Sequence, residues 1–170
     1  MLCALRWIVL VVSTITLTTF MFSAPVLAGA DVAFSGQAAS GTIIVRTNER
    51  RLYFVTGNGR AVRYPVGVGR VDKQWFGTTS VVGKHIRPAW SPPAEIRRGR
   101  PNYVIPSDSP RNPMGAAALV LAHNELAIHG TNNPGSVGGF VSWGCIRMHN
   151  LDIMDLYSRV GVGTLVVFTH

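Results

Sequence analysis

Residues 128–148 read Ile-His-Gly-Thr-Asn-Asn-Pro-Gly-Ser-Val-Gly-Gly-Phe-Val-Ser-Trp-Gly-Cys-Ile-Arg-Met. A short apolar run ends at His129, a segment rich in Gly, Asn and Pro follows, and a second apolar pair opens at Cys145 beside Arg147. Such residues supply the turns that let a chain double back. Doubling back brings His129 to Cys145, the pairing that a cysteine nucleophile needs. The stretch is read as an active site, with strand before the loop and helix after it.

The chemistry sets the requirement. A free thiol with a pKa of about 8.5 is only about 3% ionised at neutral pH, and a neighbouring imidazole raises that fraction. Lowering the pKa by about 1.5 units takes about 2 kcal/mol, within reach of one close charged partner. The competing reading is an inert, buried Cys145 with His129 unrelated to it. The rest of the chain weighs between them.

The 170 residues suit one domain after an N-terminal segment. A net charge of +8 comes mostly from arginines scattered between Arg46 and Arg159. No aromatic-interleaved basic motif accompanies them, so nucleic acid is not the expected partner, and an anionic envelope polymer suits the charge.

Arg6, the uncharged stretch from Trp7 to Phe22, and Ala28-Gly29-Ala30 form the pattern of a secretory signal peptide over residues 1–30. Cleavage after Ala30 makes Asp31 the new N-terminus, and cleavage after Ala28 is the second option. The alternative is an uncleaved anchor, the only route by which this chain would contact a membrane. Cys3 leaves with the segment, so the exported chain keeps Cys145 alone and forms no internal disulfide. A single thiol in an oxidising compartment is a liability, which favours chemistry over structure or else pairing with another chain.

Residues 31–41 are small and polar and read as a linker, and the domain is 42–170. Strands are expected at Thr42–Arg46, Leu52–Val55 and Val62–Val68, with Gly57-Asn58-Gly59 as a hairpin turn and Pro65 marking an edge or bulge. Gly69 to Pro113 holds seven prolines between Pro88 and Pro113 and reads as loops with at most short strands. Trp75, Phe76, Trp90 and Tyr103 either pin those loops or line a groove. Gly115–His123 and Leu126–His129 read as a hairpin. Asn150 is placed as the cap of a helix from Leu151 to Val160, whose Ile153, Leu156, Tyr157 and Val160 share one face. Residues 164–168 close the chain as a strand.

Taken jointly, Ile128-His129-Gly130-Thr131, Ser142-Trp143-Gly144-Cys145-Ile146-Arg147-Met148, Asn150-Leu151-Asp152 and Leu156-Tyr157 resemble the L,D-transpeptidase catalytic domain, the YkuD family. The likeness extends to Tyr64-Pro65-Val66-Gly67-Val68-Gly69, Asn112-Pro113-Met114-Gly115 and Gly163-Thr164-Leu165-Val166, and covers Thr42 to the C-terminus. It implies a mainly β fold, a sandwich of mixed sheets with one principal helix after the cysteine. It also implies a periplasmic or cell-envelope enzyme that needs no cofactor and acts on peptidoglycan stem peptides. In the family a thiolate attacks the third residue's carbonyl, releases D-alanine, and passes the acyl group to an amine. Some members use an outer-membrane lipoprotein and some act as hydrolases; carbapenems acylate the same cysteine.

By position, the resemblance makes Cys145 the nucleophile and His129 the base. Gly130 supplies the carbonyl that orients the imidazole. Gly144 and Cys145 supply oxyanion N–H groups, each worth about 3 kcal/mol. Arg147 falls where a substrate carboxylate is bound, its alternative being a salt bridge with Asp152 or Asp155. Thr131, Ser142 and Trp143 fall at substrate-binding positions. Trp143 departs from the family's Ser-His-Gly-Cys, which leaves a binding module without turnover as a second reading. Gly77-Thr78-Thr79-Ser80 stands where the family has Thr-Pro-x-Gly, so a differently built loop is expected after Trp75. His123, His129, Cys145 and His149 lack the paired spacing of a metal site, so none is expected. Sparse carboxylates disfavour a glycosidase.

Overall fold

The structure, a computed structural model, describes residues 28–97, 99 and 103–170. Residues 1–27 of the expected signal peptide or anchor lie outside the described residues. No described helix is long and apolar enough to cross a membrane.

The strands are β1 (Ala30–Ala33), β2 (Ile43–Arg46), β3 (Arg51–Gly57), β4 (Arg60–Pro65), β5 (Val68–Gly69), β6 (Gly77–Ile86), β7 (Ala117–Leu121), β8 (Ala127–His129), β9 (Phe140–Ser142), β10 (Ile146–Arg147) and β11 (Leu165–Thr169). Among the described residues two α-helices join them, the short α1 (Ala94–Arg97) and α2 (Asn150–Arg159). One sheet runs in the order β1-β4-β3-β2-β11-β6-β7-β8-β10, and β5 and β9 make a second. Pairing is mixed: β2 with β11, β8 with β10 and β5 with β9 are parallel.

Strand β6 organises the whole. Gly77 to Ser80 pair with β11, Val81 to Ile86 pair with β7, and the register shifts between Val81 and Gly83. Such a shift bends and twists a strand. The two flanks close on one core of Ile43, Val45, Leu52, Tyr64, Leu119, Ile128, Ile146, Ile153, Leu156 and Val166. Each large aliphatic side chain buried there contributes about 1.5 to 3 kcal/mol.

The expectation of loops with only short strands over Gly69 to Pro113 fails at β6, a strand of 10 residues. Its run of Thr, Val and Ile carries the β propensity, and the prolines all lie beyond it. The segment after Trp75, expected to be a differently built loop, is the beginning of this strand, Gly77 to Ser80. Residues Ala30–Ala33, read as the end of a signal peptide and the start of a linker, form β1, antiparallel to β4. Backbone pairing satisfies them despite their small side chains.

Helix α2 follows the expected bounds within a residue and buries Ile153 and Leu156. Its cap position is His149, with no side-chain cap bond. From β6, Lys84 Nζ donates to the carbonyls of Tyr157 and Val160 at 2.8 and 2.5 Å, satisfying orphan groups at the helix C-terminus. The proline-rich segment is knitted by buried Asn112, whose Nδ2 donates to the Pro88 and Pro106 carbonyls at 2.9 and 3.0 Å.

Candidate active site

His129 is the last residue of β8 and Arg147 lies opposite it in β10, with Ile146 opposite Ile128. Cys145 therefore enters beside Ala127, one step before the paired residues. His129, Cys145, Arg147, Ser142 and Trp143 all line one groove of about 920 Å³, walled on its other sides by residues such as Trp75, Trp90, His123 and Met114. The thiol and the imidazole share this wall, and no hydrogen bond joins sulfur to ring nitrogen among the described residues. Catalytic hydrogen bonds are often looser before substrate arrives.

His129 is 4% exposed, and its Nδ1 lies 2.6 Å from the Gly130 carbonyl oxygen. A carbonyl only accepts, so Nδ1 carries the proton and Nε2 is the basic nitrogen. Burial lowers the imidazole pKa to about 4, against the Gly130 and Pro113 carbonyls, which favour the charged form, and with the Arg147 charge, which opposes it. Burial likewise pushes the Cys145 thiol up, countered by the backbone amide of Ala127, the Arg147 charge and its own amide. The resting pair is thus a thiol and a neutral imidazole rather than a preformed ion pair. The Arg147 charge acts on both groups.

Arg147 Nε is buried with no hydrogen-bond partner among the described residues. The alternative, a salt bridge with Asp152 or Asp155, does not form. Asp155 accepts from Tyr64 and Arg159, and Asp152 accepts the Gly29 N–H at 3.2 Å. The guanidinium in the groove remains available to an anion.

The turn into the cysteine is set by Gly144 and Ser142. Gly144 has φ +119°, and a Cβ there would lie 2.9 Å from Leu126 Cδ2 and 3.2 Å from the Lys73 carbonyl oxygen. Its N–H donates to Ser142 Oγ at 3.1 Å, and that hydroxyl donates to the Cys145 carbonyl at 2.5 Å. Ser142 is thereby occupied with the turn rather than turned to a ligand, and the Gly144 amide is engaged at rest. Thr131 is buried, accepts the Asn133 N–H at 3.0 Å, and does not line the groove. Its hydroxyl shapes the loop.

Trp143 is 40% exposed on the groove wall. The Arg70 guanidinium lies 4.2 Å from its ring centre and the Lys73 ammonium 4.7 Å, so the indole sits among cations that no local pattern announced. Trp75 both packs edge-on against Phe168 and stacks at 4.0 Å on His123, joining core to groove.

The sequence matches the model of the YkuD family, described as the L,D-transpeptidase catalytic domain, over residues 40–168. It is 37% identical over 136 residues to the probable L,D-transpeptidase YbiS of Escherichia coli K12, a match covering 74% of this chain and 44% of that protein. It is 35% identical over 127 residues to the putative L,D-transpeptidase YkuD of Bacillus licheniformis, covering 75% of this chain and 64% of that one. The fold superposes on L,D-transpeptidase 3 from Mycobacterium tuberculosis with a TM-score of 0.59 at 16% identity, over 76% of this chain and 60% of that one. It superposes on the L,D-transpeptidase of Enterococcus faecium with a TM-score of 0.60 at 17% identity, over 75% and 49%. The chain belongs to the L,D-transpeptidase catalytic domain family. It spans 44% and 64% of the length of the two sequence relatives named.

Proposed function

We propose that this protein is an exported L,D-transpeptidase that acts on peptidoglycan stem tetrapeptides in the cell envelope. The observation that carries the reading is the 2.6 Å contact between His129 Nδ1 and the Gly130 carbonyl, which leaves Nε2 as a base in the groove that Cys145 also lines.

Cys145 Sγ attacks the carbonyl carbon of the stem's third residue as His129 Nε2 takes the thiol proton. The tetrahedral oxyanion is held first by the Cys145 N–H, and the Gly144 N–H joins it by exchanging its bond to Ser142 Oγ. Collapse breaks the amide bond, and the departing D-alanine amine takes the proton from His129, leaving a thioester. An acceptor amine attacks the thioester and gives its proton to His129; the new amide forms as the C–S bond breaks, and the departing thiolate takes that proton back to regenerate the thiol. Neutral starting groups suit this cycle, because the imidazole is unprotonated at working pH. Arg147 would hold a stem carboxylate, and Trp143 would pack on the stem peptide. The acceptor is an amine on a neighbouring stem, with a lipoprotein amine or water as the other acceptors the chemistry admits.

Export rests on the N-terminal pattern. Cleavage after Ala28 would keep all of β1 and the contact of Gly29 with Asp152, whereas cleavage after Ala30 would remove both Gly29 and the first residue of the strand.

The test is incubation of the full chain, Cys145→Ala and His129→Ala with muropeptides and, separately, with a carbapenem, read by mass spectrometry. Cross-links between stems support transfer to an amine, and shortened stems alone indicate hydrolysis. Stem binding without D-alanine release would favour a binding module, and a carbapenem adduct on Cys145→Ala would remove the nucleophile assignment.

A further inference from the structure

The peptide unit between Gly130 and Thr131 is held at both ends. Its carbonyl accepts the His129 Nδ1–H at 2.6 Å, and its N–H donates to Asn150 Oδ1 at 3.1 Å. The same Oδ1 accepts the Ala116 N–H at 3.0 Å, and Asn150 Nδ2 donates to the Thr131 carbonyl at 3.1 Å. One side-chain amide thus clasps the loop after β8 to the segment leading into β7.

Two glycines make room for it. A Cβ on Gly115 or on Gly130 would press into Asn150 Oδ1, and Gly115 also stands at φ +63°. The helix itself does not use this side chain: Asn150 is the first residue of α2, its cap position is His149, and the residue is exposed overall. Its amide therefore serves neither the helix end nor core packing, and every hydrogen bond it makes goes to the backbone around His129.

We propose that Asn150 is a positioning residue for the His129 imidazole, acting through the Gly130–Thr131 peptide to hold the base in its Nδ1–H tautomer. A peptide whose N–H is already bonded is a more polarised and better oriented acceptor at its carbonyl. In a triad a carboxylate accepts directly from the imidazole; here a neutral amide acts at one peptide's remove. That suits a site where the Arg147 charge already bears on the imidazole, since no second charge is introduced. The inference rests on His129 being the general base.

The experiment uses the full chain with Asn150→Ala, Asn150→Asp and His129→Ala. It measures the rate of Cys145 acylation by a carbapenem, the melting temperature, and the tautomer and titration of the His129 ring by ¹⁵N NMR. Asn150→Ala is expected to slow acylation at least tenfold and to give a mixture of ring tautomers. Asn150→Asp keeps the acceptor for Ala116 and Thr131, so it should recover most of the rate, and its negative charge should move the His129 titration upward. Wild-type rate and a single Nδ1–H tautomer in Asn150→Ala would overturn the proposal. So would an unmoved His129 titration in Asn150→Asp, which decides the matter if Asn150→Ala does not fold. A wild-type rate in His129→Ala would instead remove the assignment of the base.

Discussion

Arg147 lies directly across the parallel β8–β10 pair from His129, and its charge reaches both the imidazole and the Cys145 thiol. It disfavours protonation of the first and favours ionisation of the second. A single guanidinium therefore biases both groups toward the forms that the proposed attack needs, while its buried Nε has no partner among the described residues.

Replacing that guanidinium should separate its two roles. Arg147→Gln is expected to raise KM for a stem tetrapeptide and to lower kcat/KM by about 30-fold, the equivalent of about 2 kcal/mol for a lost charge-assisted hydrogen bond. A stem analogue lacking the carboxylate should show much less of this loss. Equal losses for both substrates would assign Arg147 to electrostatics alone.

Burial holds the thiol protonated at rest. Alkylation of Cys145 by iodoacetamide should be slower at neutral pH than that of a free cysteine and should keep rising above pH 9, where an ordinary thiol levels off. A plateau reached below pH 8 would instead reveal a stable ion pair with His129.

The buried imidazole makes folding sensitive to acid. Its pKa is about 4 when folded, against about 6.5 in a free chain, so between these values the unfolded state binds a proton that the folded state does not. Stability is therefore complete above about pH 6.5 and lost as pH falls toward 4. Urea unfolding of the wild type and of His129→Gln, at pH 7.5 and 4.5, should show the wild type losing about 2 to 3 kcal/mol more. Parallel losses in the two proteins would contradict the buried, neutral ring.

Gly144 tolerates no side chain. At φ +119°, with Leu126 Cδ2 and the Lys73 carbonyl where a Cβ would go, Gly144→Ala should lower stability by about 1 to 3 kcal/mol. It should also slow acylation more than any change in KM explains, because the turn that presents the thiol is displaced. Thermal unfolding and single-turnover acylation check the two parts.

The candidate site was legible where its residues follow chain order. His129, the glycine-rich bend, Cys145 and Arg147 lie within 19 residues, and strands and helix α2 announced themselves by β-branched runs and by the spacing of Ile153, Leu156 and Val160. What escaped was set by contacts across the fold. Strand β6 hid behind prolines that lie after it, and a window reaching from Gly69 to Pro113 averaged the two together. Asn150 looked like a helix cap because its neighbours form a helix, yet its partners, Ala116 and Thr131, lie 34 and 19 residues away. The cations around Trp143 come from Arg70 and Lys73, far off in the chain. The neutral resting state of Cys145 and His129 depends on burial, a property of the packed molecule and not of local spacing.

Strand β6 gives part of its length to each flank of the molecule, so neither flank has a complete sheet without it. The two are mechanically one piece: heat or a protease should find no half that opens first, and the groove of the candidate site should vanish in the same cooperative step as the core.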